Sequence, residues 1–130
     1  MATADELVEA YIRACNEPDA AERRRLLGLC WGDDGALTGP NYEVKGRAAM
    51  ESYFTGFQER NRGARVVAIS GFDAHHDVVR YGWRIYRGDD SILAEGVDTA
   101  IIGPDGRIAR VLMFYGPLPP ATTQKSEANT

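Results

Sequence analysis

What the chain lacks narrows it first. No apolar run approaches the ~20 residues that a helix needs to cross a bilayer, so no membrane-spanning helix is expected. Met1 to Glu6 holds no basic stretch leading into a hydrophobic one and does not read as a signal peptide, which makes the cytoplasm the expected compartment. Basic residues are outnumbered, with 15 Lys and Arg against 19 Asp and Glu and a net charge of −4 at pH 7. Phosphate binding needs a basic face, so nucleic acid is not an expected partner. The only basic run, Arg23-Arg24-Arg25, lies in a stretch of helical character and reads as a solvated helix face. Cysteine is scarce: Cys15 and Cys30 both fall among apolar helical positions, where a thiol behaves as a small hydrophobe. Neither has a neighbouring base that would make it a nucleophile. There is no Gly-x-Ser-x-Gly elbow, phosphate loop, dinucleotide fingerprint or paired-cysteine motif, so neither a metal nor a cofactor is expected. His75 and His76 are the only histidines, and neighbours on a strand point to opposite faces, which would keep them from sharing a metal.

What is there suits one modest α+β domain of 130 residues with ordinary hydrophobic content, 44%. Helices come first. Thr3 with Glu6 forms a capping-box signature, and Leu7, Val8, Tyr11, Ile12 and Cys15 repeat at helical spacing. Asn16-Glu17-Pro18 breaks this helix, and Asp19 with Glu22 can cap a second that runs to about Leu29. A short strand is expected from Asp34 to Thr38, closed by Gly39-Pro40-Asn41, with Asp33 and Asp34 capping the turn before it. A third helix starts near Gly46, with Met50, Tyr53, Phe54 and Phe57 as its apolar stripe, and ends at Asn61-Arg62-Gly63. Four strands follow, near 64–73, 76–86, 92–102 and 107–115, the last two joined by Gly103-Pro104-Asp105-Gly106. From Pro117 onward the composition turns small and polar, so 1–118 is assigned to the domain and 119–130 to a disordered tail.

Two charges lie mid-strand in consecutive strands, where they are costly unless partnered. If Tyr86 faces Ile92 across the Arg87–Ser91 turn, a constant index sum sets Gly82 opposite Gly96 and Arg80 opposite Asp98. Ala94, Gly96, Asp98 and Ala100 share one face, a side nearly stripped of bulk, so an Arg80–Asp98 ion pair aimed into a ligand-sized hollow is expected. A buried pair that only fixes strand register is the competing role. In the same parity His76 joins Arg80, while Tyr81, Trp83 and Ile85 form an apolar row on the outer face. Such a row marks an interface, and a homodimer packed back to back through the sheets is expected.

The order of elements resembles the nuclear transport factor 2-like superfamily, which includes the SnoaL-like polyketide cyclases, ketosteroid isomerases and limonene-epoxide hydrolases. The resemblance spans roughly residues 5 to 118. It rests on Val8 to Asn16, Trp31-Gly32-Asp33-Asp34, Gly46-Arg47, Asp105-Gly106-Arg107-Ile108 and Phe114-Tyr115-Gly116, taken together in order and spacing. It implies a cone: three N-terminal helices packed on a strongly curved antiparallel, or mixed, sheet around an apolar cavity.

The resemblance also implies roles. Tyr11 and Asp98 fall where ketosteroid isomerases hold a substrate oxyanion, but Gly39 stands before Pro40 where their base would be. Arg80 resembles the arginine of the epoxide hydrolases, whose two acids are reduced here to Asp98, with Gly82 and Met113 at the other positions. A SnoaL-like cyclase needs one proton-moving acid, and Asp98 can be that base, with His76 as helper. The expected activity is cofactor-free cyclisation, isomerisation or hydration of a small hydrophobic carbonyl or epoxide compound. Asp98 would be the acid–base group, Arg80 would orient it, and Tyr11 or His76 would donate to the substrate oxygen. Trp31, Tyr53, Phe54, Phe57 and Phe114, with Gly82 and Gly96, are the candidates for lining the pocket. A non-catalytic cavity protein or dimerisation module of the same fold is the alternative.

Overall fold

The computed structural model describes residues 2–122. Helix α1 (Ala4–Asn16) begins at the expected capping box: the Thr3 side chain accepts from the Glu6 backbone N–H, and the Glu6 carboxylate accepts from that of Thr3. Its apolar stripe buries Leu7, Val8, Tyr11 and Cys15. Helix α2 (Ala20–Cys30) starts at Asp19, whose carboxylate accepts from the Glu22 N–H. Arg23, from the basic run, is not solvated. It is buried, and its guanidinium donates to the Glu17 and Pro18 carbonyls, Thr55 Oγ1 and Gln58 Oε1. It thereby ties the α1–α2 corner to α3 (Arg47–Arg60).

Strand β1 (Trp31–Gly39) turns back into β2 (Tyr42–Lys45), a strand too short and too polar to stand out in the sequence. After α3 come β3 (Arg65–Ala68), β4 (Asp73–His75), β5 (Val78–Tyr86), β6 (Ile92–Ile102) and β7 (Ile108–Tyr115). The expected strand at 64–73 is therefore two pieces, both paired with β5 and interrupted opposite Gly82. The described strands form one mixed sheet in the order β2-β1-β7-β6-β5-β3, in which β1 and β7 run parallel and the other pairs antiparallel. The three helices pack on this sheet as expected for the cone-like α+β fold.

Between sheet and helices lies one core, including Val8, Leu26, Leu27, Trp31, Leu37, Met50, Trp83, Ile108 and Val111. Trp31 stacks on Tyr11 with ring centroids 5.4 Å apart, and its indole N–H donates to the Gly35 carbonyl at 2.9 Å. Among the described residues no helix is long and apolar enough to cross a membrane. Residues 116–122 form neither helix nor strand. The remainder of the expected tail, 123–130, lies outside the described residues.

The β5–β6 register corrects the central expectation. Tyr86 does pair with Ile92, but the next pair is Ile85 with Ala94, so Leu93 is an extra residue. A bulge of this kind shifts every later pair by one position and exchanges the faces. Tyr81 therefore stands opposite Asp98, Arg80 opposite Thr99, Trp83 opposite Gly96 and Gly82 opposite Val97. Asp98 faces inward, and so do Val79, Tyr81, Trp83 and Ile85. Arg80, Gly82 and Arg84 face out.

Candidate functional site

The inward faces of β5, β6 and β7 meet α1 and α3 around a cavity of about 340 Å³. Its lining is mostly apolar and aromatic, and Asp98 is the one carboxylate in it among the described residues. A volume of this size suits a small organic molecule.

Asp98 is only 3% exposed. Its Oδ2 accepts a hydrogen bond of 2.7 Å from the Tyr81 hydroxyl, its direct cross-strand neighbour. Trp83 sits diagonally across the same pair of strands, and its indole N–H, the weaker of the two donors, also favours the charged carboxylate. Trp83 Nε1 and Asp98 Oδ1 are both fully buried and have no other partner among the described residues. Burial outweighs these two donors and pushes the Asp98 carboxyl up to about 7. The same burial, with the Asp98 charge nearby, holds the Tyr11, Tyr81 and Cys15 groups well above their ordinary values, so all three stay protonated at neutral pH.

Of the residues expected at the site, the fold brings together Asp98, Tyr11, Tyr53, Phe54 and Phe57, all of which line the cavity. Arg80 does not join them. It points away from the helices, 69% exposed, and its Nε donates to Asp73 Oδ2 at 2.7 Å. The ion pair expected between Arg80 and Asp98 does not form, because the Leu93 bulge separates their faces. His76 is also outside: it occupies the β4–β5 turn with φ of 53°, exposed. That turn brings the two imidazoles together, Nδ1 to Nδ1 at 3.0 Å, rather than to opposite faces of a strand.

Four pocket candidates fall elsewhere. Trp31 lies behind Tyr11 in the core, and Phe114 is on the outer face, 63% exposed. Gly82 is outward, covered by Ile69 and Ser70. Gly96 faces inward but opens no hollow, since the Phe114 carbonyl and the Trp83 ring occupy the space a side chain would need.

Sequence reasoning missed Tyr81, Trp83 and Ile85 as cavity residues and placed them at a dimer interface instead; Tyr81 and Trp83 are in fact buried against the helices. Their strict alternation with Arg80, Gly82 and Arg84 was the available signal, since a half-buried strand turns its apolar set inward. Tyr115, which also lines the cavity, was missed as well, as was Tyr42 beside it. Tyr42 stacks on Tyr53, and its hydroxyl is 2.7 Å from that of Tyr115. The Tyr42 ring covers Gly39, where the resemblance would have set a catalytic base. Among the described residues no three His, Cys, Asp or Glu side chains come together as metal ligands.

No protein-family model and no curated protein matches the chain. Solved structures do. A proposed isomerase of the SnoaL-like family from Agrobacterium tumefaciens aligns over 85% of this chain and 95% of its own, at a TM-score of 0.79 and 26% identity. A nuclear transport factor 2-like protein of unknown function from Exiguobacterium aligns over 86% and 99%, at 0.69 and 17%. A proposed SnoaL-like polyketide cyclase from Jannaschia aligns over 88% and 90%, at 0.64 and 16%. In the order of its elements, in its mixed curved sheet and in these likenesses, the chain has the fold of the nuclear transport factor 2-like superfamily.

Proposed function

We infer that the cavity is an active site where Asp98 moves a proton on a small, hydrophobic carbonyl compound, in a cyclisation or isomerisation of the SnoaL-like kind. One observation carries this reading: a buried carboxyl lines an apolar cavity, and its pKa is near neutrality. An acid–base group is most effective when its pKa lies close to the working pH. Tyr81 orients Asp98 through Oδ2. Tyr11, held protonated, is a further cavity donor and can stabilise negative charge that builds on a substrate oxygen. Epoxide hydration is less well supported than it was in the sequence, because its orienting arginine lies outside the cavity.

Asp98→Asn should lower turnover by roughly 10²–10⁴-fold with KM little changed. As the base must be ionised, wild-type kcat/KM should rise with pH through about 7 and level off above it. Turnover that survives the substitution would remove Asp98 from the mechanism. Ligand binding without turnover, in wild type and variant alike, would favour a non-catalytic binding protein.

The protein also works as a homodimer on this reading, though not through the residues first expected. What supports an interface is an outer-face row in which Val97 pairs with Phe114 across β6 and β7 and Ile69 lies over Gly82, with all three side chains more than 40% exposed.

A further inference from the structure

Beside Asp98 and Tyr11, the cavity carries a second polar cluster that the chemistry above leaves unused. β1 turns back into β2 so that Gly39 pairs with Tyr42, and the Tyr42 ring and hydroxyl fill the space a side chain at Gly39 would need. The Tyr42 hydroxyl lies 2.7 Å from that of Tyr115 and 3.4 Å from the Met113 sulfur. The Tyr53 ring stacks on Tyr42 at 5.8 Å, and its hydroxyl is a further neighbour of the Tyr42 hydroxyl. Tyr53, Met113 and Tyr115 line the cavity, and Tyr42 supports them from outside the lining.

These hydroxyls hold more protons than they can place among themselves. Three hydroxyls joined through Tyr42 have three O–H protons and two links, so one proton is always left over. The acceptor at hand for it is the Met113 thioether, and sulfur accepts only weakly. A donor without a good acceptor favours a ligand that supplies one. When Tyr42 donates to Tyr115, the spare proton is on Tyr115, in the cavity wall. A hydroxyl that accepts a hydrogen bond is in turn a stronger donor. The acceptor that fits is neutral. Among the described residues no Lys, Arg or His lines the cavity to offset a carboxylate or phosphate, and an unpaired charge is costly to bring out of water. A carbonyl oxygen accepts without a charge.

We propose that Tyr115, backed by Tyr42, is a carbonyl-binding subsite, so that the substrate carries a carbonyl oxygen apart from the oxygen served by Asp98 and Tyr11. This rests on the acid–base reading above and adds a second point of recognition, one that selects doubly oxygenated compounds. Tyr115 pairs with Gly96, one step along the sheet from the Asp98–Met113 pair, so the two points are neighbours on one wall without coinciding. No bond is made or broken at Tyr115. It determines specificity, and Tyr42 acts through it.

Binding of 2-acetylnaphthalene and 2-ethylnaphthalene, two probes that differ in the ketone oxygen, tests this on the full chain. Tyr115→Phe should weaken the ketone roughly tenfold. It should leave the hydrocarbon unchanged, which also reports that the variant is folded. Tyr42→Phe should weaken the ketone by a smaller factor, since it removes the support and not the donor. The infrared carbonyl stretch of the bound, isotope-labelled ketone is a second readout. It should be lowered in wild type and should rise in Tyr115→Phe toward its value in an alkane. Ketone affinity indifferent to Tyr115→Phe, or a carbonyl band that does not move, would overturn the proposal. So would a ketone weakened by Tyr11→Phe and not by Tyr115→Phe. These readouts are of binding alone, so failure of the subsite is distinguishable from a failure of Asp98→Asn to lower turnover.

Discussion

At the residue scale, Asp98 is held between opposing influences of unequal size. Leaving water disfavours its charge, while the Tyr81 hydroxyl and the Trp83 indole favour it, and burial wins. Moving a carboxyl from 3.8 to about 7 corresponds to roughly 4 kcal/mol of added cost for ionising it. An ion pair with Arg80 would have removed most of that cost and left a permanently charged group, poorly suited to exchanging protons near neutral pH. On the proposed mechanism, the outward placement of Arg80 is therefore part of what suits Asp98 to proton exchange. Arg80 itself makes an exposed bridge to Asp73, of a kind worth ~0–1 kcal/mol. Arg80→Ala should leave turnover unchanged and stability within about 1 kcal/mol of wild type in denaturant melts. A large fall in turnover would show that Arg80 reaches the site after all.

At the scale of the element, the β5–β6 hairpin decides what the cavity contains. Gly96 is its tightest point, for a β-carbon there would overlap the Phe114 carbonyl and press on the Trp83 ring, both held by the sheet. Overpacking of this kind costs ~1–3 kcal/mol or more. Gly96→Ala should lower the denaturation midpoint accordingly and displace Trp83, while Ala94→Gly on the same face serves as a control for the loss of a methyl group. A fully stable Gly96→Ala protein would contradict the close packing of β6 on β7.

The helices were legible in the sequence because caps and apolar stripes are local: Thr3 with Glu6, Asp19 with Glu22, and the Met50–Phe54 face all act within a few residues. The strand limits of β6 were legible for the same reason. The register was not. Leu93 sits among Ile92 and Ala94 with no glycine or turn residue to mark a bulge, so counting back from the turn carries an error of one residue into every pair beyond it. Alternation along β5 alone gives the correct faces, because burying Val79, Tyr81, Trp83 and Ile85 outweighs any pairing that would bring Arg80 inside. Asp98, Tyr11 and the α3 aromatics were found because their faces depend on their own elements. Arg80, His76 and Gly82 were misplaced because theirs were inferred through the hairpin.

For the molecule as a whole, a curved sheet has two faces and the helices cover one. The row of Ile69, Val97 and Phe114 lies on the other. Sedimentation equilibrium should show a dimer at micromolar concentration, and Phe114→Glu should shift it toward monomer without unfolding it. A wild-type monomer under those conditions would dispose of the interface. The covered face holds the cavity, and the chemistry proposed for it turns on one proton. Following the Asp98 side-chain carbonyl carbon by NMR as pH is raised, with Asp98→Asn to identify the resonance, measures that proton directly and needs no substrate. A midpoint near 7 is expected. A midpoint at the ordinary aspartate value, about 3.9, would mean that the carboxyl is charged at every working pH, contradicting its role as a group that exchanges protons in the cavity.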